Sequence, residues 1–241
     1  MALRLLSCAA AALLAIGGAA SRPAPRTAAQ SRRLAPLLAR SVQGRRIEAR
    51  HLGSTSGPIT LVVGAIHGDE SAGTAIVHDL IDDHAVLRAN LWVVPSLNPD
   101  GVAAHTRQNA HGVDLNRNFP WRWHPNGHRG DAEYPGPAAL SEPESRFAAG
   151  VIANLRPRVT VWFHQPLGIV DLSGGSQSIE RRFARAAGIP ASRLPRYRGS
   201  ATTWQNHRFA PTTAFVVELP AGRLDGPSVE RYAAAVAEAA R

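Results

Sequence analysis

Ile59-Thr60-Leu61-Val62-Val63-Gly64-Ala65-Ile66-His67-Gly68-Asp69-Glu70 decides the fold. Its first half is a short, β-branched apolar run, the composition of a strand buried on both faces. The run breaks into a glycine-flanked turn, and a helical stretch is expected over residues 72–87. Strand, polar turn and helix in that order make half of a parallel β-α-β unit.

Working outward, the same alternation continues. Further strands are expected over 91–94, 159–163 and 214–217, and helices over 142–155, 178–187 and from 228 to the end. Residues 98–143 form a long loop rich in Gly, Pro, Asn and His. The expected architecture is a single α/β domain, a mixed and mostly parallel twisted sheet with helices on both faces. Each of the four strands runs into a reactive segment: His67-Gly68-Asp69-Glu70, Asn98-Pro99-Asp100-Gly101, His164-Gln165 and Glu218. In open α/β sheets, sites form outside the carboxyl ends of the strands.

Spacing alone does not pick out the chemistry. The His-x-x-acid pattern occurs at His67/Glu70, His111/Asp114 and His128/Asp131. The first pair sits at the end of a buried strand in a turn that opens a helix, whereas the other two sit in loops without such support. A catalytic zinc takes three protein ligands, commonly two His and one carboxylate, and keeps one position open. His67, Glu70 and His164 meet that description, for one zinc ion. Glu218 follows Phe215-Val216-Val217, where a carboxylate is costly to bury unless it is paired or functional. A general base is the sharp reading of it.

His67-Gly68-Asp69-Glu70, Asn98-Pro99-Asp100-Gly101, the segment Gly112-Val113-Asp114-Leu115-Asn116-Arg117-Asn118-Phe119, Ser141-Glu142-Pro143-Glu144, Trp162-Phe163-His164 and Val217-Glu218-Leu219 together resemble the zinc carboxypeptidase family. They stand in family order over roughly residues 45–235. The resemblance implies a mixed eight-stranded sheet between helices, zinc on His67, Glu70 and His164, and Glu218 as base. By position it also implies that Arg107 polarises the scissile carbonyl and that Asn116 and Arg117 grip a terminal carboxylate. A solvated loop arginine is the plain alternative for Arg107. Tyr197 lies about where the family has a mobile tyrosine lid, although its spacing to Glu218 does not match cleanly. The compact loops, with Gly136-Pro137 and His164-Gln165-Pro166, resemble the bacterial murein peptide amidase branch. That branch implies a muropeptide substrate cut at a γ-D-glutamyl–diaminopimelate bond. Asp171, seven residues beyond His164, falls where the family borders the pocket for the leaving side chain. Its partner is either a substrate ammonium, a local arginine such as Arg198, or a turn through Ser173-Gly174.

Composition sets the remaining bounds. The chain has 241 residues, 44% of them hydrophobic and 19% charged, enough for one sizeable domain. Its formal charge is +9, and all 27 basic residues are Arg. The arginines are scattered and no nucleic-acid motif appears, so nucleic acid is not expected as a partner. Residues 1–20 read as a secretory leader, with Arg4, an apolar run and small residues before Ser21. Residues 21–44 read as a flexible lead-in and 45–241 as the catalytic domain. No segment approaches the roughly 20 apolar residues of a membrane span. A secreted or wall-associated monomer is therefore expected. The rival readings are an N-acyl amino acid deacylase, an inactive wall-binding module and a polyanion-binding protein.

Overall fold

The computed structural model describes residues 34–82, 88–172 and 174–241. The expected leader over 1–20, and the lead-in up to residue 33, lie outside the described residues. Among those described, eight strands form one sheet in the order β1-β2-β4-β3-β5-β8-β6-β7. The strands are β1 (Leu37–Arg40), β2 (Arg46–Gly53), β3 (Ile59–Val63), β4 (Asn90–Val94), β5 (Val159–His164), β6 (Leu167–Asp171), β7 (Ala191–Ser192) and β8 (Thr213–Pro220). β4, β3, β5 and β8 run parallel at the centre, while β1 and β2 on one side and β6 against β8 pair antiparallel. The α/β architecture with a mixed, mostly parallel centre is as the alternation implies.

Among the described residues, six helices accompany it: α1 (Gly73–Asp82), α2 (Pro99–Ala104), α3 (Pro143–Leu155), α4 (Gln177–Ala187), α5 (Ala201–Arg208) and α6 (Gly226–Ala239). Successive strand residues point to opposite faces, so the central strands feed two cores. Val62, Val161, Phe163, Phe215 and Val217 pack with α1, α4 and α6 on one side. Leu61, Val63, Trp162 and Val216 pack with α3 and α5 on the other. All six residues of β5 are buried, which is why that segment carries no polar alternation. Truncating a fully buried aromatic such as Phe163 to Ala would cost about 3–5 kcal/mol.

Two expectations need correction. The lead-in over 21–44 is ordered where it is described: residues 37–40 form β1, and the following turn is tied to the domain. Ser41 Oγ donates to Asp100 Oδ1 at 2.7 Å, the Gln43 N–H to Asp100 Oδ2 at 2.9 Å, and the Val42 N–H to Glu144 Oε1 at 3.0 Å. Buried carboxylates elsewhere in the chain supply the order that local composition does not signal. The loop over 98–143 also contains structure. Asn98 Oδ1 accepts from the Gly101 N–H at 2.9 Å and so starts α2, and Asp114 caps a 3₁₀ turn, Leu115–Arg117.

The register brings the reactive segments to one edge. On the adjacent parallel strands β5 and β8, His164 and Glu218 are direct Cα partners. Gly68 lies so close to the α2 backbone that a Cβ there would meet the Gly101 carbonyl carbon at 1.9 Å. Only glycine lets these two turns seat on each other.

Candidate metal centre and substrate cleft

His67 leaves β3 through Gly64-Ala65-Ile66, and Glu70 follows in the turn before α1. His164 is the last residue of β5. One ligand atom from each of His67, Glu70 and His164 lies within 4.8 Å of the others. His164 Nδ1 is 2.8 Å from Glu70 Oε2, and His67 Nδ1 is 3.0 Å from the same oxygen. His67 Nδ1 is buried and makes no hydrogen bond of acceptable geometry.

The other ring nitrogen explains this orientation. His67 Nε2 lies 3.0 Å from Asp114 Oδ1 in a fully buried contact. A proton held on Nε2 by the carboxylate leaves the Nδ1 lone pair facing Glu70 and His164, the arrangement a metal-binding histidine needs. Asp114 Oδ1 also accepts from the Asn116 N–H at 2.8 Å, and Oδ2 takes Arg107 Nε at 3.1 Å and Nη2 at 3.0 Å. Arg107 then reaches Glu70 Oε1 through Nη1 at 2.8 Å. A closed ring of His67, Asp114, Arg107 and Glu70 results. Sequence reasoning misses this role of Asp114, because its His-x-x-acid pairing lies in a loop. Its true partner stands 47 positions earlier in the chain, while His111 turns instead to Glu142 Oε2 at 2.7 Å.

The electrostatics follow from this crowding. Burial works to lower the His67 pKa, but Asp114 and Glu70 outweigh it and the net direction is upward. Burial opposes ionisation of Glu70, yet hydrogen bonds from His164 and His67 hold it well below the usual carboxylate range. Asp114 is likewise held low against burial by His67 and Arg107. His164 moves down, chiefly through burial. Glu218 goes the other way: burial, then the Glu70 carboxylate, push it up to about 7. Its Oε2 is buried without a hydrogen bond.

A cleft of about 410 Å³, the size of a small-ligand site, opens over these groups. All nine residues expected to serve the site line it: His67, Glu70, His164, Glu218, Arg107, Asn116, Arg117, Asp171 and Tyr197. Asn116 Oδ1 accepts from the Ala201 N–H at 3.0 Å, which turns its NH₂ group to other partners. Arg117 donates to Glu133 Oε1 at 2.6 Å, and its guanidinium stacks on the Tyr197 ring, 4.1 Å from the centroid. Tyr197 is 45% exposed at the cleft rim. The loop is seated by Gly199, at φ 70°, where a Cβ would lie 2.1 Å from the Arg117 carbonyl oxygen. Asp171 ends β6, buried, with Oδ1 accepting from the Leu194 N–H at 3.0 Å. Glu133 carries no motif, and only the fold shows it beside Arg117.

The donor set fits zinc: two ring nitrogens and one carboxylate oxygen, a lone pair already oriented by Asp114, and a cleft on the open side.

Comparison with known proteins agrees with this chemistry. The sequence profile of the zinc carboxypeptidase family matches residues 33–187, a span that holds His67, Glu70 and His164 and stops short of Glu218. Murein peptide amidase A of Vibrio campbellii is 32% identical over 173 residues, 66% of this chain and 68% of that protein. Murein peptide amidase A of Escherichia coli K12 is 31% identical over 122 residues, 46% of this chain and half the length of the relative. The crystal structure of murein-tripeptide amidase from Escherichia coli O157 superposes with a TM-score of 0.72 at 27% identity, covering 82% of this chain and 87% of that one. Carboxypeptidase A of Helicoverpa armigera shares the fold, with a TM-score of 0.70 at 22% identity over 85% of this chain and 68% of that one.

Proposed function

This chain belongs to the zinc carboxypeptidase family and is a metallopeptidase-type hydrolase, and from that premise we propose that it cuts an amide bond next to a residue bearing a free carboxylate, in peptidoglycan-derived peptides of the γ-D-glutamyl–diaminopimelate type. The observation that carries the reading is the convergence of His67, Glu70, His164 and Glu218 on one cleft, with His164 and Glu218 as strand partners. Similarity to murein peptide amidases supports the substrate class. The leader-like sequence of residues 1–20 supports export to the wall, where such peptides are found.

His67 Nδ1, Glu70 and His164 would hold one zinc ion. Bound there, zinc supplies a Lewis acid for the scissile carbonyl and makes water nucleophilic at neutral pH. Glu218 accepts a proton from the attacking water and delivers it to the departing amine nitrogen. Arg107, fixed by Glu70 and Asp114, presents a guanidinium edge to the oxygen on which charge develops. Asn116 and Arg117 grip the free carboxylate of the leaving residue, and Tyr197 closes over Arg117. Asp171 faces the leaving side chain and favours a cationic one.

The test is a panel of muropeptides, simple peptides and N-acyl amino acids, incubated with the mature protein and read by mass spectrometry. Cleavage before diaminopimelate, abolished by a chelator and restored by Zn²⁺, is expected. Turnover restricted to N-acyl amino acids would make it a deacylase. Full activity in metal-free protein would remove zinc from the scheme.

A further inference from the structure

Gln165 follows His164 directly and lines the cleft, yet its side chain is turned to the protein and not to a substrate. Its Oε1 accepts from the Ala72 N–H at 3.1 Å, and its Nε2 donates to the carbonyls of Pro220 and Gly222, each at 2.8 Å. A glutamine amide has two N–H donors, and both are matched here by backbone carbonyls. The partners also fix which way the amide points, because a backbone donor faces the oxygen and two backbone acceptors face the nitrogen.

Each contact falls beside a functional group. Ala72 is two residues beyond Glu70, at the start of α1, where a helix leaves N–H groups without intrahelical partners. Pro220 and Gly222 are two and four residues beyond Glu218, where the chain leaves β8. The backbone N–H of Gln165 donates to Glu70 Oε2 at 3.3 Å. Two residues further on, the Leu167 N–H donates to the Glu218 carboxylate and favours its charged form. The topology accounts for this crossing. β8 lies between β5 and β6 in the sheet, parallel to one and antiparallel to the other, so the chain from His164 to Leu167 passes over the carboxyl end of β8. Among the described residues, the bond to Gln165 is the one hydrogen bond made by residues 222–224.

We propose that Gln165 is a positioning residue for the base: its side chain ties the exit of β8 to the turn that carries Glu70, and so sets the separation between the Glu218 carboxylate and the metal ligands. The inference rests on the proposed role of Glu218 and adds what holds that group in place. A general base works at heavy-atom separations of about 2.6–3.2 Å from the proton it takes. Misplacing such a group by about 1 Å can cost about 10²-fold in rate. An apolar side chain at position 165 would leave the Ala72 N–H and both carbonyls to water, and would free the exit of β8 to shift.

The test is a double-mutant cycle on the zinc-loaded protein, with Gln165→Met and Glu218→Gln alone and together, on a γ-D-glutamyl–diaminopimelate peptide. Gln165→Met keeps the length of the side chain and removes the amide. It is expected to lower kcat by about 10–100-fold while KM and zinc content hold. In the Glu218→Gln background it should cost nothing further, because no base is left to place. Equal losses in the two backgrounds, or a change confined to KM, zinc content or melting temperature, would overturn the proposal and make Gln165 a structural residue only. Undiminished turnover in Glu218→Gln alone would overturn the reading of Glu218 as base, and the positioning role with it. Amide hydrogen exchange gives a readout independent of turnover. Gln165→Met should speed exchange at Ala72 by about tenfold or more, and Glu218→Gln should not. Exchange at Ala72 as fast in wild type as in Gln165→Met would overturn the tie. Should wild type leave the peptide uncut, the amidase reading fails and the exchange rates decide the tie alone.

Discussion

Glu180 offers a measurement in which one side chain sets the pH dependence of stability. It sits on α4, entirely buried, with neither carboxylate oxygen in a good hydrogen bond. The Gly174–Gly175 loop packs directly on it: a Cβ on Gly174 would come within 2.4 Å of Glu180 Oε1. Burial, then the Asp171 charge, raise its pKa from 4.5 to about 7, while the Gly174 and Gly175 N–H groups and Arg193 offset only part of the rise. The folded chain therefore holds a proton on Glu180 that the unfolded chain has released between pH 4.5 and about 7. Stability falls as pH rises through that window, and the full penalty is present above it. At about 1.4 kcal/mol per factor of ten, the penalty is at most about 3 kcal/mol. Glu180→Gln keeps the shape and removes the charge. At pH near 8 its melting temperature should exceed wild type by about 6–12 °C, at about 2–4 °C per kcal/mol for a domain of this size. Near pH ~4.5 the two should converge. Thermal unfolding followed by circular dichroism at saturating zinc, from pH ~5 to ~8, reads the difference, and contributions shared by both proteins cancel. Parallel curves offset by a constant would refute the argument.

Three further outcomes concern the cleft. Glu218→Gln should lower turnover by about 10²–10⁴-fold while zinc content stays near one per chain; loss of metal equal to that of His164→Ala would make Glu218 a ligand. Arg117→Ala should raise KM strongly for substrates with a free terminal carboxylate, and amidating that carboxylate should reproduce the defect in wild type. Asp171→Asn should slow cleavage before a cationic residue by about 2–5 kcal/mol and barely change cleavage before an uncharged one; equal losses would make Asp171 a structural partner of the Leu194 backbone.

How much of this is legible in the sequence depends on how far each signal travels along the chain. β3, β4, β5 and β8 announce themselves because strands buried on both faces are unbroken apolar runs. His67, His164 and Glu218 are legible because they stand where those runs end. β2 reads Arg-Ile-Glu-Ala-Arg-His-Leu-Gly, and α5 reads Ala-Thr-Thr-Trp-Gln-Asn-His-Arg; both are too polar to stand out. Each is stabilised by what covers it, β2 by pairing with β4 and α5 by burying Ala201 and Trp204 in the second core. The anchoring of residues 41–43 on Asp100 and Glu144 is wholly a long-range matter, as is the Asp114–His67 contact. Glu133 and Arg198 belong to loops, where neighbours in space leave no period in the sequence to read.

Charge at the metal centre explains why Asp114 and Arg107, which touch each other, should respond oppositely to substitution. Glu70, Asp114 and Glu218 bring three carboxylates to a site where, among the described residues, Arg107 is the one guanidinium in ion-pair contact. The deficit is two positive charges, the charge of one zinc ion. The field of Glu70 on Glu218 in the free chain has the same origin, and a bound dication would draw Glu218 back toward an ordinary carboxylate. Asp114→Asn removes one of the negative charges and the acceptor that fixes the His67 tautomer, so zinc affinity should fall by about 10–100-fold. Arg107→Gln removes a positive charge instead. The site becomes more attractive to a dication, so affinity should hold, while loss of the group facing the oxyanion should cut turnover by about 10²–10³-fold. Competition with a chromophoric chelator gives the affinities, and single-substrate kinetics at saturating zinc gives the rates. Were Arg107→Gln to lose zinc as readily as Asp114→Asn, the guanidinium would be holding Glu70 in place as a ligand, and its role at the carbonyl would have to be abandoned.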